Sequence, residues 1–244
     1  MYNPRRNSPF GGGAFGSRYQ YQTLPYEFQA ADVRSSLIGK VMGLLAFSFL
    51  FASIGTFVGI RIHLSPGVSL LIALAGLVVL IALNFLIQRP GINLVLLYLF
   101  TFLEGMSLAP LIGYYLGDPT RGAILGEAFV ITAATAFGLA AYAWTTKRDF
   151  SRLGDYLFFG LILLLVASII NIFFQATLFQ LIIAVVGVAI FSGYVLFYVQ
   201  RAKYMADTLP NAIGLAVSLF ITLLNLFLYI LELLSILQGG GRRR

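Results

Sequence analysis

Apolar residues run almost without interruption from Leu37 to Leu237, and only short polar segments separate the runs. Each run has about twenty residues, the length that an α-helix needs to cross a hydrocarbon core of roughly 30 Å. The pattern therefore predicts an all-α fold, a polytopic membrane bundle of seven transmembrane helices. The predicted spans are Leu37–Ile60, Val68–Ile87, Ile92–Leu116, Ala123–Thr145, Tyr156–Phe174, Leu178–Val199 and Ala212–Leu237.

The division between the fifth and sixth spans rests on length. No charged residue lies between Tyr156 and Gln200, and a single helix of that length would extend for roughly 66 Å at about 1.5 Å per residue. The chain must therefore turn back, and Gln175, Ala176 and Thr177 are the expected turn.

Composition agrees with this class. Hydrophobic residues make up 59% of the chain and charged residues 10%, whereas soluble domains carry about 25% charged residues. The absence of cysteine excludes disulfides and thiolate metal sites. We predict three regions: a tail over residues 1–35 that is disordered or partner-bound, the transmembrane domain over residues 36–238, and a basic C-terminal tail over residues 239–244.

The net charge of +7 comes from basic residues at span ends and in the tails. Such residues orient spans and meet anionic lipid headgroups, so we expect a lipid partner and no nucleic acid. The positive-inside rule places the N-terminus in the cytoplasm. We expect the membrane to be the bacterial inner membrane. Arg242, Arg243 and Arg244 would then lie outside unless the seventh segment is re-entrant.

Few residues offer chemistry within the spans. Glu104 is the only carboxylate near the middle of one, and it should face the interior, be paired or be protonated. Glu104 could equally be a neutral side chain that joins two helices by a hydrogen bond. Asn171 and Asn225 could line an ion path, although such amides more often join helices by hydrogen bonds. His63 is the sole histidine, so we predict no enzyme activity, no catalytic residue, no metal site and no cofactor.

Several ordered segments resemble the Bax inhibitor-1 family, the TMBIM or YccA- and YetJ-like membrane proteins. The resemblance covers about Ser36 to Leu237 and excludes the tail. It rests on Gly126–Phe129, Thr146–Gly154, Ile170–Phe173, Phe191–Phe197, Ala216–Phe220 and Leu224–Phe227.

This resemblance implies seven helices, with the last one central and wrapped by the other six, and a cytoplasmic N-terminus. In the calcium-leak branch of the family, two aspartates on the sixth and seventh helices form a pH-sensitive gate. The matching positions here are Tyr198 and Thr222. Their identity is closer to the YccA-like branch, which is linked to regulation of a membrane-bound AAA protease through partner contact.

Two functions follow from these observations. In the first, the protein is a regulator or accessory subunit of a larger membrane protein assembly, and its aromatic, basic tail binds the partner. The tail candidates are Arg5, Arg6, Arg18, Tyr19 and Tyr21. In the second, it is a pH-sensitive calcium, cation or proton leak that uses Glu104, with Tyr198 and Thr222 in place of the gate.

Overall fold

Eight α-helices make up the described chain, residues 30–239 of a computed structural model in which side chains are described for residues 37–238. The helices are α1 Ala30–Arg61, α2 Pro66–Leu86, α3 Ile92–Ser107, α4 Ala109–Leu116, α5 Pro119–Thr145, α6 Leu153–Phe174, α7 Thr177–Ala202 and α8 Leu209–Gly239.

Six of these helices are long and apolar enough to cross a bilayer alone, and α3 with α4 completes a seventh span. The predicted seven-helix class is thus confirmed. The third span differs from the expected continuous helix Ile92–Leu116, because α3 and α4 meet at an angle of 47°. Pro110, in the first turn of α4, lacks an N–H group and its ring crowds the preceding turn, which breaks a helix.

Short capping segments set the remaining helix ends. The Asp118 carboxylate accepts hydrogen bonds from the backbone N–H groups of Thr120 and Arg121 at 2.9 and 3.1 Å. These bonds lower the pKa of this carboxyl group below its usual value, because they favour the charged form. Gln175 ends α6 in the left-handed conformation, with φ of 48°, so the predicted turn between the fifth and sixth spans is confirmed.

Helix α8 lies at the centre of the bundle. Over its most apolar window 56% of the residues are buried, against 11% for α6. Helices α1, α3, α5 and α7 pack directly against it, whereas α2 packs mainly on α3 and α6 on α7. The implied central helix is therefore present, but its immediate wrapping involves four spans, and α2 and α6 form an outer layer.

The two halves of α8 belong to different apolar cores. Ala212, Ala216 and Phe220 pack with residues of α1, α2 and α3. Leu226 and Ile230 pack with residues of α5, α6 and α7. The central helix consequently joins two helical groups, which α4 also connects through its contacts with α1 and α5.

Large apolar side chains cover the outside of the bundle. Phe173 of α6 and Leu71 of α2, for example, are 81% and 64% exposed. Burial of such side chains in lipid removes them from water, so this surface is where the bilayer contacts the protein.

The two ends of the described chain lie on opposite sides of the bundle. Helix α8 is continuous over 31 residues, so the re-entrant alternative for the last segment is wrong. Helix α1 begins at Ala30, inside the segment assigned to the tail. We name the end at which α1 starts the tail end, and the opposite one, at which α8 finishes, the far end.

Candidate functional site

A stripe of polar side chains follows one face of α8 from end to end. Its members are three, four or seven residues apart. Residues at these spacings lie on the same face of a helix. The spacing is interrupted only by Leu215. The stripe consists of Asn211, Ser218, Thr222, Asn225, Tyr229 and Glu232.

The far-end part of the stripe lines a cleft of about 810 Å³ between α6, α7 and α8. We call it the far-end cleft. Most of its lining groups are amides, hydroxyls and one carboxylate, which is unusual for helices that cross a bilayer. The lining residues are Ser168, Asn171, Ile172, Gln175, Gln180, Ile183, Asn225, Leu228, Tyr229 and Glu232.

Hydrogen bonds orient some of these groups. The Gln180 amide nitrogen donates to the Glu232 carboxylate at 2.9 Å, and the Asn225 amide nitrogen donates to the Ile221 carbonyl at 2.8 Å. The Asn171 Oδ1 atom is buried and accepts no hydrogen bond from the described residues. One acceptor oxygen among the lining residues of the cleft is therefore not satisfied by the described chain.

The other end of the stripe lines a smaller cavity of about 70 Å³, which we call the tail-end cavity. It contains Tyr198 and Arg201 of α7 together with Asn211 and Ser218 of α8. Tyr198, one of the two positions that match the family gate, thus borders a cavity.

A short closed zone separates the two spaces. Thr222 is only 3% exposed, and its hydroxyl donates to the Ser218 carbonyl at 2.7 Å. From Ser218 to Asn225 the stripe covers seven residues, or about 10 Å along the helix axis. The closed zone is therefore about a third of a bilayer core.

Aromatic rings of α7 close this zone from the other side. The rings of Tyr194 and Tyr198 stack with centroids 5.7 Å apart, and Phe191 stacks on Tyr229 at the same distance. Gly187 permits the second contact, because a Cβ at that position would lie 2.5 Å from the Tyr229 ring. The seam between α7 and α8 is thus tightly packed where Tyr229 borders the far-end cleft.

Polar contacts tie down the tail end of this seam. The buried Gln200 side chain accepts a hydrogen bond from the Phe150 N–H and donates one to the Arg148 carbonyl. Lys40 forms a salt bridge of 2.9 Å with Asp207. The α5–α6 and α7–α8 connections are therefore fixed to their neighbours beside the tail-end cavity.

Glu104 lies elsewhere. It packs against α2, where a Cβ on Gly76 would be 3.1 Å from Glu104 Oε1. Among the described residues, no group of three or more histidine, cysteine, aspartate or glutamate side chains is placed to hold a metal ion. The structure thus brings Asn171 and Asn225 to one cleft, places Tyr198 and Thr222 on the same seam, and separates Glu104 from all four.

Five predicted site residues cannot be placed, and two residues of the far-end cleft were not predicted. Arg5, Arg6, Arg18, Tyr19 and Tyr21 lie outside the described residues. Gln180 and Glu232 line the far-end cleft although the sequence analysis did not single them out. The spacing of Glu232 from Asn225, seven residues along one helix, was the available signal.

A bundle of seven apolar spans with a polar seam around its central helix defines a polytopic membrane protein. The family model described as inhibitor of apoptosis-promoting Bax1 matches residues 34–239. The chain therefore belongs to the Bax inhibitor-1 family.

Relatives are found in bacteria and in animals. An uncharacterized membrane protein of Vibrio cholerae is 34% identical over 201 residues, which cover 81% of this chain and 87% of the relative. An uncharacterized protein of Campylobacter jejuni is 35% identical over 214 residues, 86% of this chain and 92% of the relative. Protein lifeguard 4 of the mouse is 29% identical over 213 residues, 84% and 87% of the two chains. The similarity thus extends over most of each protein.

Proposed function

We propose that this protein is a non-enzymatic leak pathway for a small cation along the seam between α7 and α8, with calcium and protons as the candidate ions. The observation that carries the proposal is the stripe of polar side chains that joins a cavity at each end of the bundle. An ion cannot cross hydrocarbon without polar groups to replace its water, and this stripe supplies them.

The described conformation is closed. Thr222 and the stacked rings of Tyr194 and Tyr198 fill the zone between the cavities. Conduction would require these rings to move apart. Threonine does not ionise and tyrosine ionises only near pH 10 in its unperturbed state, so we do not expect a carboxylate pair to set the pH dependence here.

A flux assay in proteoliposomes tests the pathway, with a calcium dye or a pH dye enclosed in separate preparations. Tyr198→Ala should raise the flux because it removes a ring from the closed zone. Thr222→Val should lower it because the polar stripe is interrupted without a change in side-chain volume.

Matched controls distinguish the seam from general damage. Thr132→Val removes a hydroxyl that also bonds to the carbonyl four residues earlier, but on α5. Tyr156→Ala removes a ring that is 74% exposed on α6. Both should leave the flux unchanged. Flux no greater than in protein-free liposomes, for the unaltered chain and for Tyr198→Ala, would overturn the proposal.

A second candidate function is regulation of a membrane protein assembly through partner contact. The α5–α6 connection favours it, because Lys147, Arg148 and Arg152 are exposed there. This connection lies at the tail end, so it and the basic residues of the tail could meet one acidic surface. The test is affinity purification from native membranes: a stoichiometric partner should be lost when Arg5, Arg6 and Arg18 are all changed to Gln, and its retention would oppose a role for the tail.

For location, we propose the bacterial inner membrane with the tail end in the cytoplasm. Among the described residues, basic side chains concentrate at that end. Single cysteines introduced at Gln88 and Ser65 would report the orientation, because the natural chain contains no cysteine. An impermeant maleimide applied to whole cells should label the cysteine at position 65 only; labelling of position 88 instead would reverse the orientation.

A further inference from the structure

We propose that the far-end cleft binds a small organic ammonium compound, with Glu232 as the anionic contact and the oxygen of Asn171 as a neutral acceptor. This inference goes beyond the leak, because it concerns equilibrium binding at one end of the seam and requires no passage through the closed zone.

The charges of the residues that line the cleft indicate that the ligand is positively charged. Glu232 is the only ionisable carboxylate among the lining residues of the cleft, and none of them is lysine, arginine or histidine. The Gln180 amide orients one carboxylate oxygen. A carboxylate that is partly removed from water gains most from a cationic partner, so the cleft favours a cation over a neutral or anionic compound.

Hydrogen bonding indicates the ligand's polar group. The Asn225 amide nitrogen is used by the Ile221 carbonyl, which leaves its oxygen available, and the buried Asn171 oxygen has no partner in the described chain. A buried acceptor without a donor is unfavourable, and a ligand that donates to it removes that cost. An ammonium group brings several N–H donors, so it could satisfy the Asn171 oxygen while it pairs with the Glu232 carboxylate.

Size and the apolar wall indicate the rest of the ligand. A volume of about 810 Å³ falls within the range of about 300–1,000 Å³ that small-molecule sites occupy. Ile172, Ile183 and Leu228 provide a surface for hydrocarbon. The Tyr229 side chain, held in place by Phe191, completes the lining of the cleft. By contrast, a tightly bound calcium ion usually requires several carboxylates.

The test uses the full chain in nanodiscs and n-butylammonium as the probe, with binding measured by calorimetry. Glu232→Gln should weaken binding at least about tenfold, since a hydrogen bond to a charged group is worth about 1.5–3 kcal/mol. Asn171→Leu should weaken it less. Glu127→Gln is the matched control, because Glu127 also bonds to a glutamine at the far end but lies on α5 outside the cleft.

Three further measurements make the result decisive. n-Butanol, which has the same chain without the charge, should not bind. Thermal unfolding of each variant in the absence of probe should match that of the unaltered chain, which separates loss of the site from loss of the fold. Absence of n-butylammonium binding, binding unaffected by Glu232→Gln, or displacement of the probe by equimolar calcium chloride would each overturn the proposal.

Discussion

The two ends of the α7–α8 seam are built differently. The far end opens into a cleft of about 810 Å³ whose acceptor oxygens are partly unsatisfied. The tail end encloses only about 70 Å³ and is held by the Gln200 contacts and the Lys40–Asp207 salt bridge. The stripe of polar side chains is therefore open at the far end and enclosed at the tail end and in the middle of the bundle.

Gly187 packs against Tyr229 beside the far-end cleft. Disruption of this contact should have the largest effect on stability. Gly187→Val would place a side chain where a Cβ alone lies 2.5 Å from the ring. Overpacking of this kind costs about 1–3 kcal/mol, so the thermal midpoint in detergent should fall. Gly138→Val is the control, because a Cβ at Gly138 meets no atom within 4 Å. Equal midpoints for the two variants would show that α7 and α8 are not tightly packed.

The Gln200 contacts hold the tail end closed, and their loss should have the next largest effect. Gln200→Leu leaves the Phe150 N–H and the Arg148 carbonyl without their partner, at a cost of about 1–3 kcal/mol if both stay dry. Trypsin should then cleave faster at Lys147 and Arg148. The same change at the exposed Gln88 should leave the cleavage rate unaltered. If the rate in Gln200→Leu also stays unaltered, this side chain does not hold the connection.

The salt bridge between Lys40 and Asp207 should contribute less to the stability of the protein than the Gln200 contacts. The Lys40 side chain is 44% exposed, and exposed pairs are worth at most about 1 kcal/mol. Lys40→Ala should therefore lower the thermal midpoint slightly, and the difference should shrink as salt is added. A large loss that salt does not change would indicate that Lys40 acts through packing.

Glu104→Gln should have no effect on flux. Glu104 lies against α2 and not on the seam between α7 and α8, so the proposed pathway does not include it. The test compares the flux of Glu104→Gln in proteoliposomes with that of Thr222→Val, which changes a residue on the seam. A decrease in the Glu104→Gln variant would restore the pathway that the sequence suggested and would contradict the seam.

Sequence reasoning was strong for the spans and weak for the site. Hydropathy located all seven spans, because a backbone in lipid must satisfy its own hydrogen bonds as a helix. The third span was predicted as continuous, although Pro110 breaks it. Among the site residues, the family resemblance indicated Tyr198 and Thr222, whereas the hydropathy pattern said nothing about which amides would meet.

The same contrast applies to the two glutamates. Glu104 was prominent in the sequence because it stands alone in the middle of a span, and position along one helix is a local property. Glu232 stands nearer a helix end, where a charge costs less free energy, and only its spacing of seven residues from Asn225 marked it. Only the packing of α6 on α7 and of α7 on α8 places Asn171, Gln180 and Glu232 around one cleft.

The sequence by itself determined that this chain is a seven-span helical membrane protein of the Bax inhibitor-1 family, because hydrophobic length and ordered local segments are written along the chain. The tertiary structure alone decided that α8 carries a continuous seam with a cavity at each end and that Glu104 lies apart from it. The physical reason is that the rotation of each helix about its axis depends on the side chains of its neighbours, and that rotation selects which polar groups meet.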